Sequence, residues 1–155
     1  MRTWIAAAAA FAMFGVLEAA AKDPPPAAPD YEAQVRSYLT AQATKHTDAG
    51  FTADAANPDL VRSLTLEGGA VVWPIELRRG RAYRVFAVCD NNCSDVDMDL
   101  YNAAGVLVGV DVTGTDKPYV EIVPTADGTA FARIWLATCE AEPCFIGARL
   151  YQKRL

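Results

Sequence analysis

The chain has 155 residues, 19 acidic against 14 basic, for a net charge of −5. An acidic chain has no electrostatic reason to seek DNA or RNA, and its basic residues are scattered apart from Arg78, Arg79 and Arg81 in one turn, so nucleic-acid binding is excluded. With one histidine, His46, no His-rich metal centre is available; the four cysteines need an explanation of their own.

Residues 1–21 read as a secretory signal peptide. Arg2 supplies the positive start, Trp4 to Leu17 is almost uninterruptedly apolar, and Ala19-Ala20-Ala21 offers small residues at −3 and −1 of a cut after Ala21. As a helix that apolar run spans about 21 Å, short of the ~30 Å hydrocarbon core, so the expectation is cleavage, with no membrane span in the mature protein. The protein is then periplasmic or secreted, and the mature chain suits a single domain.

Residues 22–29, Lys-Asp-Pro-Pro-Pro-Ala-Ala-Pro, form a proline-rich linker. Asp30 can cap an amphipathic helix over residues 30–47. Tyr31, Val35, Tyr38, Leu39 and Gln42 fall at i, i+4, i+7, i+8 and i+11, giving one mainly apolar stripe. Either the stripe docks on the β-rich remainder of the chain, or the linker holds it out to recruit a protein partner such as an envelope protein. His46, in the last turn, reads as a residue favoured by the helix dipole.

From Leu60 the apolar period changes from about 3.6 to 2, with turn signals every eight to twelve residues. Leu64 and Leu66 alternate before Gly68-Gly69; Val71, Trp73 and Ile75 before Gly80; Tyr83, Val85 and Ala87 before Cys89; Val96, Met98 and Leu100 before Asn102–Gly105. Segments 106–110, 119–123, 130–136 and 145–151 complete the set. About eight short strands without βαβ alternation predict an all-β fold, an antiparallel sandwich.

The cysteines bracket strand ends. Four cysteines allow three pairings. Cys89 and Cys93 flank a polar Asp90-Asn91-Asn92 turn, and Cys139 and Cys144 flank Glu140–Pro143, so local bridges Cys89–Cys93 and Cys139–Cys144 are the favoured pair. Both gaps exceed the usual zinc-knuckle spacing, and neither couple is a CxxC opening a helix, which leaves them as staples.

Several elements recur in a recognisable order: Leu77-x-x-Gly80-x-x-Tyr83; Cys89 to Met98; Leu100-Tyr101-x-x-x-Gly105; Val108-x-x-Asp111; Asp116-x-Pro118; Pro124-x-x-x-Gly128; and Cys139-x4-Cys144. This order resembles the bacterial pre-peptidase C-terminal domain, a small extracytoplasmic β-sandwich often appended to secreted proteases, over residues 60–152. The resemblance implies a jelly-roll-like sandwich with an accessory or binding role, sometimes associated with calcium. Asp95 and Asp97 match its Asp-x-Asp pair; Asp111 and Asp116 match the acidic positions after the next strand.

Read from the residues themselves, Asp95, Asp97 and Asp99 share one strand face while Val96, Met98 and Leu100 fill the other. Same-face neighbours on a strand are ~6.6 Å apart, too far for three rigid carboxylates to surround one ion with ~2.4 Å bonds. A two-residue reach, or a loop folding Asp90 or Asp111 back, could still build a calcium site. The competing readings are that Asp95 and Asp97 accept backbone hydrogen bonds from adjoining turns and pin the loop, and that the charges protect a sheet edge.

Of the strand aromatics, Trp73 is in phase with the core. Trp135 is out of phase with Ile134 and Leu136, and Tyr101 falls on the face of Asp97 and Asp99, making these two the candidate ligand-binding aromatics. Ser37, Ser63 and Ser94 lie in no nucleophile-elbow sequence, and no enzyme is expected. The function expected is a non-catalytic extracytoplasmic binding or accessory module needing no cofactor. The first alternative is a calcium-stabilised module that binds polysaccharide, favoured by exposed aromatics beside the Asp face. The second is a structural envelope protein that recruits a partner through an exposed Tyr31, Val35, Tyr38 and Leu39 stripe.

Overall fold

The computed structural model describes residues 29–66 and 69–155. The expected signal peptide and all of the linker but Pro29 lie outside the described residues. The first elements among the described residues are a helix in two runs, α1 (Tyr31–Ala41) and α2 (Ala43–Asp48). Asp30 caps it as expected, its carboxylate accepting the Ala33 N–H at 2.9 Å.

Nine strands come after the helix: β1 (Thr52–Ala53), β2 (Leu60–Leu64), β3 (Ala70–Leu77), β4 (Arg81–Cys89), β5 (Cys93–Tyr101), β6 (Leu107–Asp111), β7 (Tyr119–Ile122), β8 (Gly128–Cys139) and β9 (Cys144–Arg154). The two-residue β1 carries no periodicity of its own and was not legible. β2 lies earlier than the Leu64/Leu66 alternation suggested, and Leu66 is exposed beyond its end. Every strand pair is antiparallel. One sheet has the order β2-β9-β4-β7, with β1 also on β9; the other has β3-β8-β5-β6. Successive strands from β2 to β5 and from β6 to β9 change sheet at each step, which is the strand order of a jelly roll.

Alternation does the sorting. In β5, Val96, Met98 and Leu100 point inward and are fully buried, while Asp95, Asp97, Asp99 and Tyr101 point outward. Trp73, Ile75, Val85, Ile134, Ile146 and Leu150 belong to the same inter-sheet core. The cystines are Cys89–Cys93 and Cys139–Cys144, with Cα atoms 5.8 and 6.0 Å apart. Each ties a strand of one sheet to the next strand in the other. Cys93 and Cys139 are register partners, so both staples sit at one end of the sandwich.

A second apolar cluster explains the helix. Val35 and Leu39 are fully buried with Phe86, Val88 and Tyr151 on the outer face of the five-stranded sheet. Gly147 of β9 is the floor: a Cβ there would meet Val35 Cγ1 at 2.4 Å and Leu39 Cδ1 at 3.0 Å. Tyr31 stacks on Phe145 with ring centroids 6.3 Å apart, and the Tyr38 hydroxyl donates to Asn91 Oδ1 at 2.5 Å. Arg149 of β9 donates to the Leu39 carbonyl at 3.2 Å and pairs with Asp59. The stripe offered as a partner surface is therefore spent on the chain's own sheet, because burying it there satisfies both apolar faces at once.

His46 corrects another expectation. It is not a solvated dipole residue but is buried between Phe86 and Tyr151, with centroids at 4.8 and 4.2 Å. Burial first, and then the Arg84 guanidinium 2.9 Å from Nδ1, lower its pKa from 6.5 to about 4. A favourable dipole interaction needs the imidazolium; this site keeps the ring neutral.

Candidate functional site

Among the described residues no helix lies over the outer face of the four-stranded sheet, and strand register fixes what it displays. Asp97 of β5 lies opposite Trp135 of β8, which lies opposite Ala70 of β3. The next rung runs Val110, Asp99, Arg133 and Val72; the one after it runs Leu107, Tyr101, Phe131 and Pro74. Tyr101, Phe131 and Trp135 thus share one rigid surface with Asp97 and Asp99. Phe131 is exposed; Tyr101 and Trp135 are half-buried.

The polar groups on this face are organised around Asp99. Its Oδ2 accepts from the Tyr101 hydroxyl and from Arg133 Nη1, each at 3.1 Å. The Arg133 guanidinium lies over the Trp135 ring, 4.4 Å from its centroid, which holds the indole in place. Partial desolvation, then the bond to Asp99, raise the Tyr101 phenol pKa, so it stays a donor. Asp97 differs from its neighbours. Among the described residues its carboxylate has no hydrogen-bond or ion-pair partner. Desolvation, then the charges of Asp95, Asp111 and Asp99, raise its pKa. The face therefore offers an unused acceptor next to an indole that is held in position.

The other aspartates do different work. Asp95 Oδ1 accepts the Thr115 N–H at 3.1 Å and ties down the β6–β7 connection. Asp111 accepts from the Thr113 hydroxyl and N–H and from the Tyr119 N–H; although burial opposes it, these bonds win and lower its pKa. Asp90 is buried and accepts from the Asn92 and Phe145 N–H groups at 3.0 and 2.8 Å, while Asp116 pairs with Lys117. The neighbouring acids whose charges act on Asp97 are Asp95, Asp111 and Asp99. Among the described residues no three His, Cys, Asp or Glu side chains converge to hold a metal ion. Backbone hydrogen bonds make Asp95 a turn-pinning carboxylate, as expected, and do the same for Asp90 and Asp111, whereas Asp97, expected to pin the loop with Asp95, accepts no such bond among the described residues.

Tyr101 and Trp135 lie on the same outward face, two rungs apart with Asp99 and Arg133 between them, and Trp73 is core. Tyr151, another strand aromatic, is buried under the helix. The residue missed was Arg133, although its place two residues before Trp135 on an alternating strand put it on the same face. A separate cleft of about 550 Å³ opens between the β5–β6 turn and the β7–β8 connection, lined by Leu77, Ala103, Val108, Ile122 and Pro124 among others. None of Asp97, Tyr101, Arg133 or Trp135 borders it. Of its polar residues, Glu121 pairs with Arg84, Asp127 with Arg78, and Thr129 bonds to Glu76.

No protein-family model matches the chain, and no curated protein matches it in sequence. The likeness to the pre-peptidase domain rests on the order of motifs from Leu77 to Cys144. The functional reading rests on the geometry of this face. Among the described residues, no helix is long and apolar enough to cross a membrane.

Proposed function

We propose that this protein is a non-catalytic, extracytoplasmic binding module whose ligand is a polysaccharide lying across the outer face of the four-stranded sheet. The observation that carries the reading is the in-register display of Trp135, Phe131 and Tyr101 beside the unpartnered Asp97 carboxylate. Aromatic ring faces stack on the apolar faces of pyranose rings. An acceptor with both oxygens free takes the hydroxyls at their edges. Both come from paired strands in a stapled sandwich, so little ordering is needed on binding. Two disulfides are in keeping with an oxidising compartment, as the reading requires.

The reading draws on no metal, because the pairings of Asp90, Asp95 and Asp111 leave those carboxylates structural. It also leaves no role for the helix in recruitment, since Val35 and Leu39 are inside. The test is affinity electrophoresis of the oxidised protein through gels containing, in turn, soluble neutral and acidic polysaccharides, with calcium and with chelator. Retardation by at least one polymer, lost in Trp135→Ala and in Asp97→Ala but kept in Val35→Ala, supports the assignment. Mobility unchanged in every polymer overturns it.

A further inference from the structure

The end of the five-stranded sheet away from the staples carries charge of the opposite sign to the chain, whose net charge is −5. Register sets Arg81 of β4 directly opposite Arg154 of β9. The Leu155 N–H donates to the Gly80 carbonyl at 3.5 Å, so the adjacent rung, Arg81 with Arg154, is a pair without ladder hydrogen bonds of its own. Facing side chains stand closest in such pairs, with Cβ atoms about 4.5–5.5 Å apart, and like charges there repel. Among the described residues neither guanidinium has a carboxylate within ion-pair distance, although Arg36, Arg78, Arg84, Arg133 and Arg149 each have one.

A cleft of about 370 Å³ opens beside the pair, lined by Gly50, Thr52, Arg81, Gln152, Lys153 and Arg154, and so by three cations and no acid. Gln152 orients one of the cations: its Nε2 donates to Asp54 Oδ1 at 3.3 Å and its Oε1 accepts from Arg81 Nη1. Asp54 is itself engaged by the Ala56 N–H and by Asn57 Nδ2, each at 3.0 Å. The bond to Gln152 uses a single N–H of the Arg81 fork and leaves the rest of it free. Lys153 Nζ donates to the Ala49 carbonyl at 3.4 Å, and the Arg154 side chain has no hydrogen-bond partner among the described residues.

We infer that this cleft binds a phosphate group, held between Arg81 and Arg154, with Lys153 adding a third positive charge to the lining. An anion placed there turns a repulsion between two cations into an attraction to both. A carboxylate brings one charge and a planar pair of oxygens. A phosphate monoester brings about −1.5 to −2 and three acceptor oxygens set tetrahedrally, enough to serve forks arriving from two strands. The cleft falls within the about 300–1,000 Å³ range of small-molecule sites, so it has room for part of what carries the phosphate. Arg78, in the same turn as Arg81, is not part of the site, since Asp127 already pairs with it. The cleft lies on the other sheet from Trp135 and Asp97, so this assignment and the polysaccharide reading can each fail without the other.

The experiment is an NMR titration of the oxidised protein with inorganic phosphate at fixed ionic strength. The expected result is saturating shifts at the amides of Arg81, Gln152, Lys153 and Arg154, with the amide of Arg62, an exposed arginine on β2, unmoved. Acetate at the same ionic strength binds at least about tenfold more weakly, as for the loss of one hydrogen bond to a charged group. Arg81→Gln and Arg154→Gln each abolish the saturation, and Arg62→Gln keeps it. The first two variants also melt no lower than the native protein in phosphate-free buffer, because one of two facing charges is gone; their loss of binding is then not a loss of folding. Vesicles separate the sources of the group. Co-sedimentation with phosphatidylcholine vesicles containing phosphatidic acid, lost in Arg154→Gln and absent with phosphatidylcholine alone, assigns the phosphate to a lipid headgroup. Phosphate saturation without co-sedimentation assigns it to a soluble phosphoester. Failure of phosphate to saturate these shifts overturns the inference. So does saturation that survives Arg81→Gln and Arg154→Gln, or acetate binding as tightly as phosphate.

Discussion

The outer faces of the two sheets start from the same strand alternation and reach opposite ends. On the five-stranded sheet, Phe86, Val88, Phe145 and Tyr151 point outward, and α1 covers them with Val35 and Leu39. The cover fits closely because β9 places Gly147 where a side chain would strike the helix. On the four-stranded sheet, Trp135, Phe131, Tyr101 and Val72 also point outward, yet they are interleaved with Asp97, Asp99 and Arg133, and among the described residues no helix lies over them. One face has its apolar surface closed off by the chain itself, and it is structural. The other keeps aromatic rings and a free carboxylate at the surface, and that is where a ligand has something to hold.

Breaking the covered face gives the largest effect. Leu39→Ala is expected to cost about 2–5 kcal/mol, as for a leucine removed from a packed core, measured by denaturant unfolding. Polysaccharide retardation stays unchanged while the protein remains folded. Equal loss of stability and binding in this variant would mean that the two faces are not independent.

His46 makes the covered face sensitive to acid. Its folded pKa of about 4 lies below the unfolded 6.5, so the unfolded chain takes up the proton first. Its contribution is fully present above pH 6.5 and is lost as pH falls toward 4. The total is about 3.5 kcal/mol at most, from roughly 1.4 kcal/mol per pH unit. Melting temperatures measured across that range should fall more steeply for the native protein than for His46→Phe.

Turn carboxylates come next. Asp90→Ala orphans two N–H groups, one on Phe145 at the start of β9. It is expected to destabilise by about 1–3 kcal/mol in thermal melts. Millimolar calcium or chelator should leave the native melting temperature where it is; an upward shift with calcium would reassign Asp95, Asp97 and Asp111 as ligands.

Smallest of all in stability is Asp97→Asn. Removing a carboxylate whose pKa is raised by desolvation and by neighbouring acids should leave the melting temperature at neutral pH level or slightly higher. Binding falls all the same, which separates a ligand group from a structural one.

The sandwich was legible because alternation over Val71–Ile75, Val96–Leu100 and the flanking turns admits one fold class. The local cystines followed from turn length. The docking of the helix was one of two readings, because a stripe such as Val35 and Leu39 shows that something must cover it and not what; the answer lay in Gly147, far along the chain. His46 was misjudged for the same reason, since its neighbours Phe86 and Tyr151 are brought in by the sheet. On the open face, Tyr101 and Trp135 were placed by phase alone. That Asp97 is the carboxylate left without a partner depends on loops returning to Asp95 and Asp111, which no periodicity encodes. Arg81 was visible as one of three arginines in a turn, but its place opposite Arg154 followed only from the register of β4 with β9.

The central claim, that the open face and not the helix-covered one takes ligand, is tested most directly by the indole N–H signals of Trp73 and Trp135 in an NMR titration with a polysaccharide fragment. Trp73 lies in the core and Trp135 on the open face. The account predicts that the Trp135 signal moves with the amides of Asp97, Tyr101 and Phe131, while Trp73 and the amides of α1 stay still. Shifts concentrated on α1 and β9, with Trp135 unmoved, would contradict it.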